Sequence, residues 1–360
     1  MKIFYDNQVF SQKYGGVSKY FAELIKAIGR FDVEIVFSKT LSENAYLPDK
    51  FKTSVGFFSN IKFKGKRSLL NFVNNQFSKG ILRKGGYDIF HPTYYSPYFL
   101  SKNIRKPIVI TVFDMIHELF PAYFSSFDKT VEYKNKVLRR ADKIIAISES
   151  TKKDLCRLTN IRPEKISVIY LAGSLSEIFS KKITVPNRYL LFVGQRKGYK
   201  NFTFFIQSIS PLLKEKKISI LCAGGGNFSV DERKIISDLG IQDYVFQREV
   251  NSGELKYCYQ KATAFVFPSL YEGFGIPVLE AFSCGCPVIL SNSSSFPEVA
   301  GDAGIYFEPQ NKESIFEAIS TILNENFDKE YFINKGYAIS NSFTWDKTAR
   351  QTLEIYKKLT

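Results

Sequence analysis

The chain has 360 residues, 44% hydrophobic and 24% charged, which suits two globular domains and excludes a disordered or collagen-like chain. Fifty Lys and Arg stand against 35 Asp and Glu, a net charge of +15. Apolar stretches such as residues 262–271 reach only about half of the ~20 residues that a membrane-spanning helix needs.

Residues 2–5 read as a strand, and residues 18–28 as a helix with Phe21, Leu24, Ile25 and Ile28 on one face. Residues 33–37 are the next strand and residues 68–82 the next helix. Residues 88–90, 107–112 and 143–147 are buried-type strands; residues 148–158 are a helix opening on Ser148, and residues 165–170 close the set. Residues 180–187, polar and containing Pro186, read as a linker. The pattern then restarts, with strands predicted at 189–193, 218–223, 244–246, 264–267 and 288–290. Helices are predicted at 202–213, 230–239, 252–260, 277–283 and 314–323, with a helical tail over 332–341 and 345–359. Such alternation predicts an α/β chain of two doubly wound Rossmann-like domains facing a central cleft, with ligands at the strand C-termini. The expected division is 1–180, 181–340 and a last helical segment, 341–360.

The charge is lopsided. Residues 1–180 carry 29 basic and 16 acidic residues, residues 181–360 carry 21 and 19, and between Lys52 and Lys106 eleven basic residues face one acid, Asp88. A single-sign block predicts an anionic partner (nucleic acid, a phosphorylated substrate or an acidic membrane surface) unless it is simply a solvated face. An aromatic content of 16% leaves rings to spare for an interface. Five cysteines are too few for a disulfide scaffold, and the opening Met-Lys-Ile-Phe-Tyr-Asp lacks the apolar core of a secretory signal, so a reducing, cytoplasmic setting is expected.

Several strand-to-helix turns can carry chemistry. Gly15-Gly16, in the first turn, lets backbone N–H groups approach a phosphate, or is only a tight turn. The turn after residues 189–193 carries Arg196 and Lys200; a guanidinium and an ammonium there can stabilise a departing diphosphate in place of a metal ion. The alternative is an exposed basic loop. Gly224-Gly225-Gly226 lets the backbone come close to a ligand or a neighbouring strand. Arg248 to Val250 can wall a nucleotide base, or form a plain surface loop.

The sharpest signal is the run from Pro268 to Ala281, in which Glu272 and Glu280 stand with seven residues between them. Glu272 sits in a Gly-rich turn with Gly273, Phe274, Gly275 and Ile276; Glu280 lies on the helix that the turn feeds. An acceptor-only carboxylate on the helix suits a ribose diol. The carboxylate in the turn can reach a sugar hydroxyl or a phosphate-bound group. Two solvated glutamates flanking a turn are the alternative.

This run resembles the E-x7-E motif of retaining glycosyltransferase family 4, of GT-B fold, and of bacterial O-antigen or capsule mannosyltransferase-like enzymes within it. Gly15-Gly16, the Arg196/Lys200 loop, the triple glycine and the stretch from Phe296 to Gly304 fall in the family's order. The resemblance implies a nucleotide-sugar donor, GDP-mannose type or UDP-hexose, on the C-terminal domain and an acceptor on the N-terminal one. It implies no metal or other cofactor, and a last helix that crosses back to the N-terminal domain. Donor-binding residues would be Gly16, Arg196, Lys200, Gly225, Arg248, Val250, Gly273, Phe274, Gly275, Ile276 and Glu280, with Glu272 catalytic. The family's His-Asp pair is altered: Phe113 stands where the His is expected, Asp114 is kept, and His117 follows. Asp114 and His117 are therefore catalytic candidates, unless the leaving phosphate itself accepts the proton. His91 either lines the acceptor side or belongs to a turn. Cys284 and Cys286 lack further ligands nearby and read as packing residues.

The leading expectation is a retaining transferase peripheral on the inner face of the cytoplasmic membrane. Its acceptor would be a polyprenyl-diphosphate-linked glycan of surface polysaccharide, with the basic stretch facing anionic headgroups and with no nucleic acid involved. The alternatives are a sugar-nucleotide epimerase or phosphorylase of the same fold, and a basic nucleic-acid-binding protein.

Overall fold

A computed structural model of the chain describes residues 1–38, 40–53, 65–175 and 178–360. Lys62 and Lys64, within the basic stretch, lie outside the described residues. The chain forms two compact units, Met1–Leu171 with Trp345–Thr360, and Ala172–Thr344.

In the first unit the strands are β1 (Lys2–Tyr5), β2 (Glu34–Phe37), β3 (Thr40–Leu41), β4 (Lys52–Thr53), β5 (Ile89–His91), β6 (Val109–Val112), β7 (Lys143–Ala146) and β8 (Ile166–Val168). The helices among them are α1 (Gly16–Ile28), α2 (Lys66–Lys84), α3 (Ile116–Leu119), α4 (Thr130–Arg140) and α5 (Glu149–Leu158). Two parallel sheets, β2-β1-β5 and β6-β7-β8, are joined by a parallel bridge between Phe90 and Ile108; β3 and β4 pair separately. The apolar period of α1 does what it predicts: Phe21, Leu24, Ile25 and Ile28 are all buried. Ser148 caps α5 by accepting the Thr151 N–H. The sequence pattern misses α4 because Lys134, Val137 and Leu138 form its buried stripe, and a lysine in that stripe breaks the apolar period.

The second unit runs β9 (Tyr189–Val193), α6 (Phe202–Glu215), β10 (Ser219–Ala223), α7 (Val230–Asp238), β11 (Val245–Arg248), α8 (Ser252–Lys261), β12 (Ala264–Phe267), α9 (Ile276–Ser283), β13 (Val288–Ser291), α10 (Phe296–Ala300), β14 (Gly304–Phe307), α11 (Lys312–Leu323) and α12 (Lys329–Ser342). Its sheet is fully parallel in the order β11-β10-β9-β12-β13-β14. The chain winds outward from β9 to β11, then returns to β9's other side with β12. The strand order therefore reverses between β9 and β12. Edge strand β14, as short as β12 and β13, opens on Gly304 straight after the Gly301–Ala303 turn, and the sequence pattern misses it. Capping boxes at Ser229/Glu232 and Asn251/Glu254 start α7 and α8.

The unit boundaries fall earlier and later than the composition suggests. The break comes at Ala172, ahead of residues 180–187, because the chain already packs on the second unit there. A Cβ on Gly173 would lie 3.4 Å from the Leu279 Cβ, and the Lys181 N–H donates to the Gly253 carbonyl at 2.9 Å. The second unit ends at Thr344, and α13 (Trp345–Lys357) belongs to the first. Thr348 on α13 donates to the Tyr170 carbonyl at 2.7 Å, and the Tyr356 hydroxyl lies 2.5 Å from His91 Nδ1 and 2.9 Å from the Tyr5 hydroxyl.

Candidate active site

In an open parallel sheet the loops leaving two adjacent strands part where the strand order reverses, and the crevice between them takes ligands. In the second unit those loops follow β9 and β12. The first carries Lys200, the second Glu272, and they meet: Lys200 Nζ lies 2.5 Å from Glu272 Oε1. The ammonium also sits over the rings of Tyr199 and Phe267, 5.1 and 5.2 Å from their centroids. The Leu270 N–H donates to the Tyr199 carbonyl at 2.7 Å, so the two loops are tied by backbone as well as by charge.

Gly275 closes the turn after β12 at φ +102°, a conformation that L side chains rarely adopt, and Ile276-Pro277 then open α9. Gly273 and Phe274 are buried, and the Phe274 ring packs edge-on against Phe343. Glu280 lies one turn into α9 and is buried. Its charge adds to burial in raising the Tyr259 phenol well above its ordinary value. A run of serines after β13 braces this turn. The Ser293 hydroxyl donates to the Leu270 carbonyl at 3.1 Å, and the Ser294 hydroxyl accepts the Glu272 N–H at 2.9 Å. Ser295 Oγ lies 2.9 Å from the carbonyl oxygens of both Glu272 and Phe274. Nothing in the sequence pattern sets these serines apart from an ordinary polar loop.

Arg196 does not join Lys200. Its side chain is 2% exposed and turned into the protein. Its Nε donates to Glu232 Oε1 at 2.9 Å, Nη1 to the Gly224 carbonyl at 3.2 Å, and Nη2 to the carbonyls of Gly226 and Asn227 at 2.8 and 3.1 Å. Its guanidinium lies over the Phe228 ring, 4.7 Å from the centroid. Four hydrogen bonds, one to Glu232 and three to the carbonyls of Gly224, Gly226 and Asn227, engage the guanidinium that the sequence reading sets against a diphosphate. Gly225 has a related explanation. At φ +77° its missing Cβ would stand 2.3 Å from the Gly194 carbonyl oxygen, so the close approach it permits is that of the loop after β9. Arg248, exposed, and Val250, half-buried, lie at the end of edge strand β11, two strands from β9.

In the first unit Gly16 opens α1, is exposed, and has open space where a Cβ would be. Asp114 follows β6 and accepts the Ile116 N–H through Oδ1 at 3.1 Å, starting α3. His117, on α3, stacks on Phe124 with centroids 3.8 Å apart, and its Nε2 lies 3.5 Å from Asp128. The catalytic candidate His117 thus lies on a short helix, its ring seated against its own neighbours. His91 is not a turn residue: it ends β5, is fully buried, and bridges Tyr356 and Thr111. Burial lowers its pKa to about 3.

Two buried charges escape sequence reading. Lys134, 1% exposed, reaches from α4 to Glu118 Oε2 and the Asp114 carbonyl, both at 2.9 Å, and so holds the segment bearing Asp114 and His117. Asp6, just after β1, is fully buried and accepts the Thr93 N–H and hydroxyl at 2.8 Å and the Tyr98 hydroxyl at 2.9 Å. Burial nonetheless raises its pKa.

Among the described residues no group of three or more His, Cys, Asp or Glu is placed to hold a metal ion. Cys284 and Cys286 are buried, and burial pushes the Cys284 thiol up to about 11 and Cys286 higher still, as suits packing residues.

Two Rossmann-like units, one with a cation and a carboxylate joined at the reversal of its strand order, define an α/β architecture of GT-B type. Residues 14–172 match the model of Glycosyltransferase Family 4, and residues 176–339 that of Glycosyl transferases group 1. The chain therefore belongs to the glycosyltransferases of family 4 type, and it is a transferase. It is 27% identical to the O-antigen chain mannosyltransferase B of Escherichia coli over 100% of both chains. It is 28% identical, over 60% of each chain, to the N-acetylgalactosamine-N,N'-diacetylbacillosaminyl-diphospho-undecaprenol 4-alpha-N-acetylgalactosaminyltransferase of Campylobacter jejuni. Among solved structures, a sucrose-phosphate synthase from Thermosynechococcus elongatus superposes with a TM-score of 0.76 at 19% identity, covering 99% of this chain and 98% of that one, which speaks for the fold.

Proposed function

We propose that this glycosyltransferase moves a sugar, mannose first among the candidates, from a nucleotide-diphosphate donor to a polyprenyl-diphosphate-linked glycan of a surface polysaccharide, with retention at the anomeric carbon. The observation that carries this reading is the Lys200–Glu272 contact at the strand-order reversal, with Glu280 buried one turn into the helix that follows. One curated relative is named a mannosyltransferase and another names a diphospho-undecaprenol acceptor, which supports mannose as first candidate and a polyprenyl-diphosphate acceptor.

In the reaction the bond between the anomeric carbon and the diphosphate oxygen breaks, and a bond to the acceptor oxygen forms on the same face. The acceptor's proton passes to the leaving diphosphate, so no protein base is required. Negative charge grows on the diphosphate as it departs. An ammonium offers three donors, and one of those on Lys200 faces Glu272. The pair presents a cation held in place before the donor arrives, which is how fixed charge lowers a barrier. Glu272 meets the sugar, Glu280 accepts the ribose diol, and the amides of residues 273–276 border the phosphates. Arg248 and Val250 flank the base. Asp114, held by its own turn and by Lys134, serves the acceptor side. No metal or organic cofactor is assigned.

Docking on the anionic inner face of the cytoplasmic membrane completes the reading. Helix α2 carries no acid in 19 residues. Leu69, Phe72 and Phe77 are exposed at helical spacing, 47%, 63% and 44%, with Arg83 and Lys84 exposed at the end of the same helix. No described helix is long and apolar enough to cross a membrane.

The test is release of nucleoside diphosphate from a panel of GDP- and UDP-sugars with a polyprenyl-diphosphate glycan, followed by NMR of the product's anomeric configuration. GDP-mannose turnover that persists in EDTA and gives an axial product supports the reading. Inversion, or alteration of the donor with no acceptor present, overturns it; the second outcome is that of an epimerase.

A further inference from the structure

Three non-glycine residues among those described have positive φ: Asn201, Lys217 and Ser294. Two have ordinary reasons. Lys217 is the second residue after α6, where helices commonly end left-handed, and its neighbour Ile218 donates back to the Leu213 carbonyl. Asn201 is of a residue type that tolerates the left-handed region. Ser294, at φ +52°, ends no helix and is not such a type. A left-handed serine persists only where its surroundings impose it, and such residues gather at functional sites.

What imposes it is the turn that bears Glu272. With Ser294 left-handed, its hydroxyl accepts the Glu272 N–H, while its neighbour Ser295, fully buried, brings its hydroxyl to the carbonyls of Glu272 and Phe274. On its other side Ser293 reaches the Leu270 carbonyl, and Ser291, fully buried, reaches the Ser269 carbonyl at 2.6 Å. The amide and the carbonyl of Glu272 are thus fixed from one three-residue segment, on either side of the residue whose carboxylate meets Lys200.

We infer that Ser294 is a positioning residue for transfer: its left-handed backbone and its hydroxyl together hold the Glu272 amide, and so aim the Glu272 carboxylate at Lys200 and the donor sugar. This rests on the reading of Glu272 given above. Ser294 does not touch the substrate; it acts through Glu272. A carboxylate whose backbone is released moves by a fraction of an ångström, which matters more to the reacting geometry than to folding.

Ser294→Gly separates the two, because glycine accepts the left-handed conformation at no steric cost yet removes the hydroxyl. The full chain, as wild type, Ser294→Gly, Ser294→Ala and Glu272→Ala, is assayed for thermal midpoint and for kcat and KM with GDP-mannose. For Ser294→Gly the expected result is a midpoint at or above wild type, a fall in kcat of at least tenfold, and a donor KM within threefold. Ser294→Ala, which keeps the strain and loses the bond, falls in both midpoint and kcat. Wild-type kcat in Ser294→Gly overturns the inference, as does a loss of activity matched by a loss of folding. Glu272→Ala reports on the underlying reading: its wild-type turnover overturns both, whereas its loss beside an active Ser294→Gly overturns the inference alone.

Discussion

Arg196 and Lys200 lie four residues apart in one loop, and the structure predicts opposite consequences for removing them. Arg196→Met keeps the length of the side chain and removes the guanidinium. Glu232 is then left 9% exposed at its side chain without its cation, and the carbonyls of Gly224, Gly226 and Asn227 lose their donor. Burial alone pushes the Glu232 carboxyl up; the Ser229 amide and the Arg196 guanidinium outweigh it and hold the group below its ordinary range. Breaking one side of a buried pair costs roughly 3–5 kcal/mol. For a unit of this size that is a drop of about 6–20 °C in Tm. Neutralising the partner as well, in Arg196→Met/Glu232→Gln, removes the stranded charge, and glutamine still serves the capping box at Ser229. The double variant is therefore expected to recover part of the loss, about 1–2 kcal/mol, as a positive coupling in the mutant cycle. Differential scanning calorimetry on the four proteins reads this directly, with turnover measured well below each midpoint. An Arg196→Met protein that melts like wild type but has lost a hundredfold or more in turnover would mean that the guanidinium faces the donor, and the structural argument fails.

Lys200→Ala is expected to do the reverse, retaining the wild-type melting profile while kcat falls by about 10²–10³, the range for losing one fixed charge stabiliser; unchanged turnover sinks the site. Glu280→Gln should raise the donor KM more than it lowers kcat under the proposed role on the ribose rather than at the reacting carbon; an unchanged KM argues against that role. His91, held neutral by burial with a pKa of about 3, makes the folded state bind fewer protons than the unfolded one below pH 6.5. Its depressed pKa means that stability present above that pH is lost as pH falls toward 3, with about 2 kcal/mol gone between pH 7 and 5. His91→Gln should flatten the stability difference over that interval, measured by urea unfolding; equal slopes for the two proteins refute it. Co-sedimentation with anionic vesicles at low salt should fall when Leu69, Phe72 and Phe77 are replaced by serine; binding that is unmoved takes α2 out of the membrane reading.

How much of this the residues themselves disclose depends on range. Local chemistry was legible: β-branched runs gave the strands, Ser148 gave a cap, Pro277 the start of α9, and the glycines beside Glu272 a turn between strand and helix. Those signals act over a few residues, so the alternation that they spell out determines the α/β class and puts Glu272 and Glu280 on one turn and its helix. Direction was not legible. In the loop after β9, Gly194 at φ +100° and Asn201 at φ +58° bend the chain so that Arg196 turns inward while Lys200 turns to Glu272, and no spacing rule distinguishes the two cations. Lys134 and Asp6 are charged residues whose burial is tolerable only because Glu118, Thr93 and Tyr98 come from elsewhere in the chain to meet them. The serines after β13 read as a polar loop until the strand order sets them beside the turn after β12. Sequence fixes what a backbone can do over one turn; which side chains end up sharing a charge, a proton or a carbonyl is a matter of contacts many residues apart, and only the folded sheet decides them.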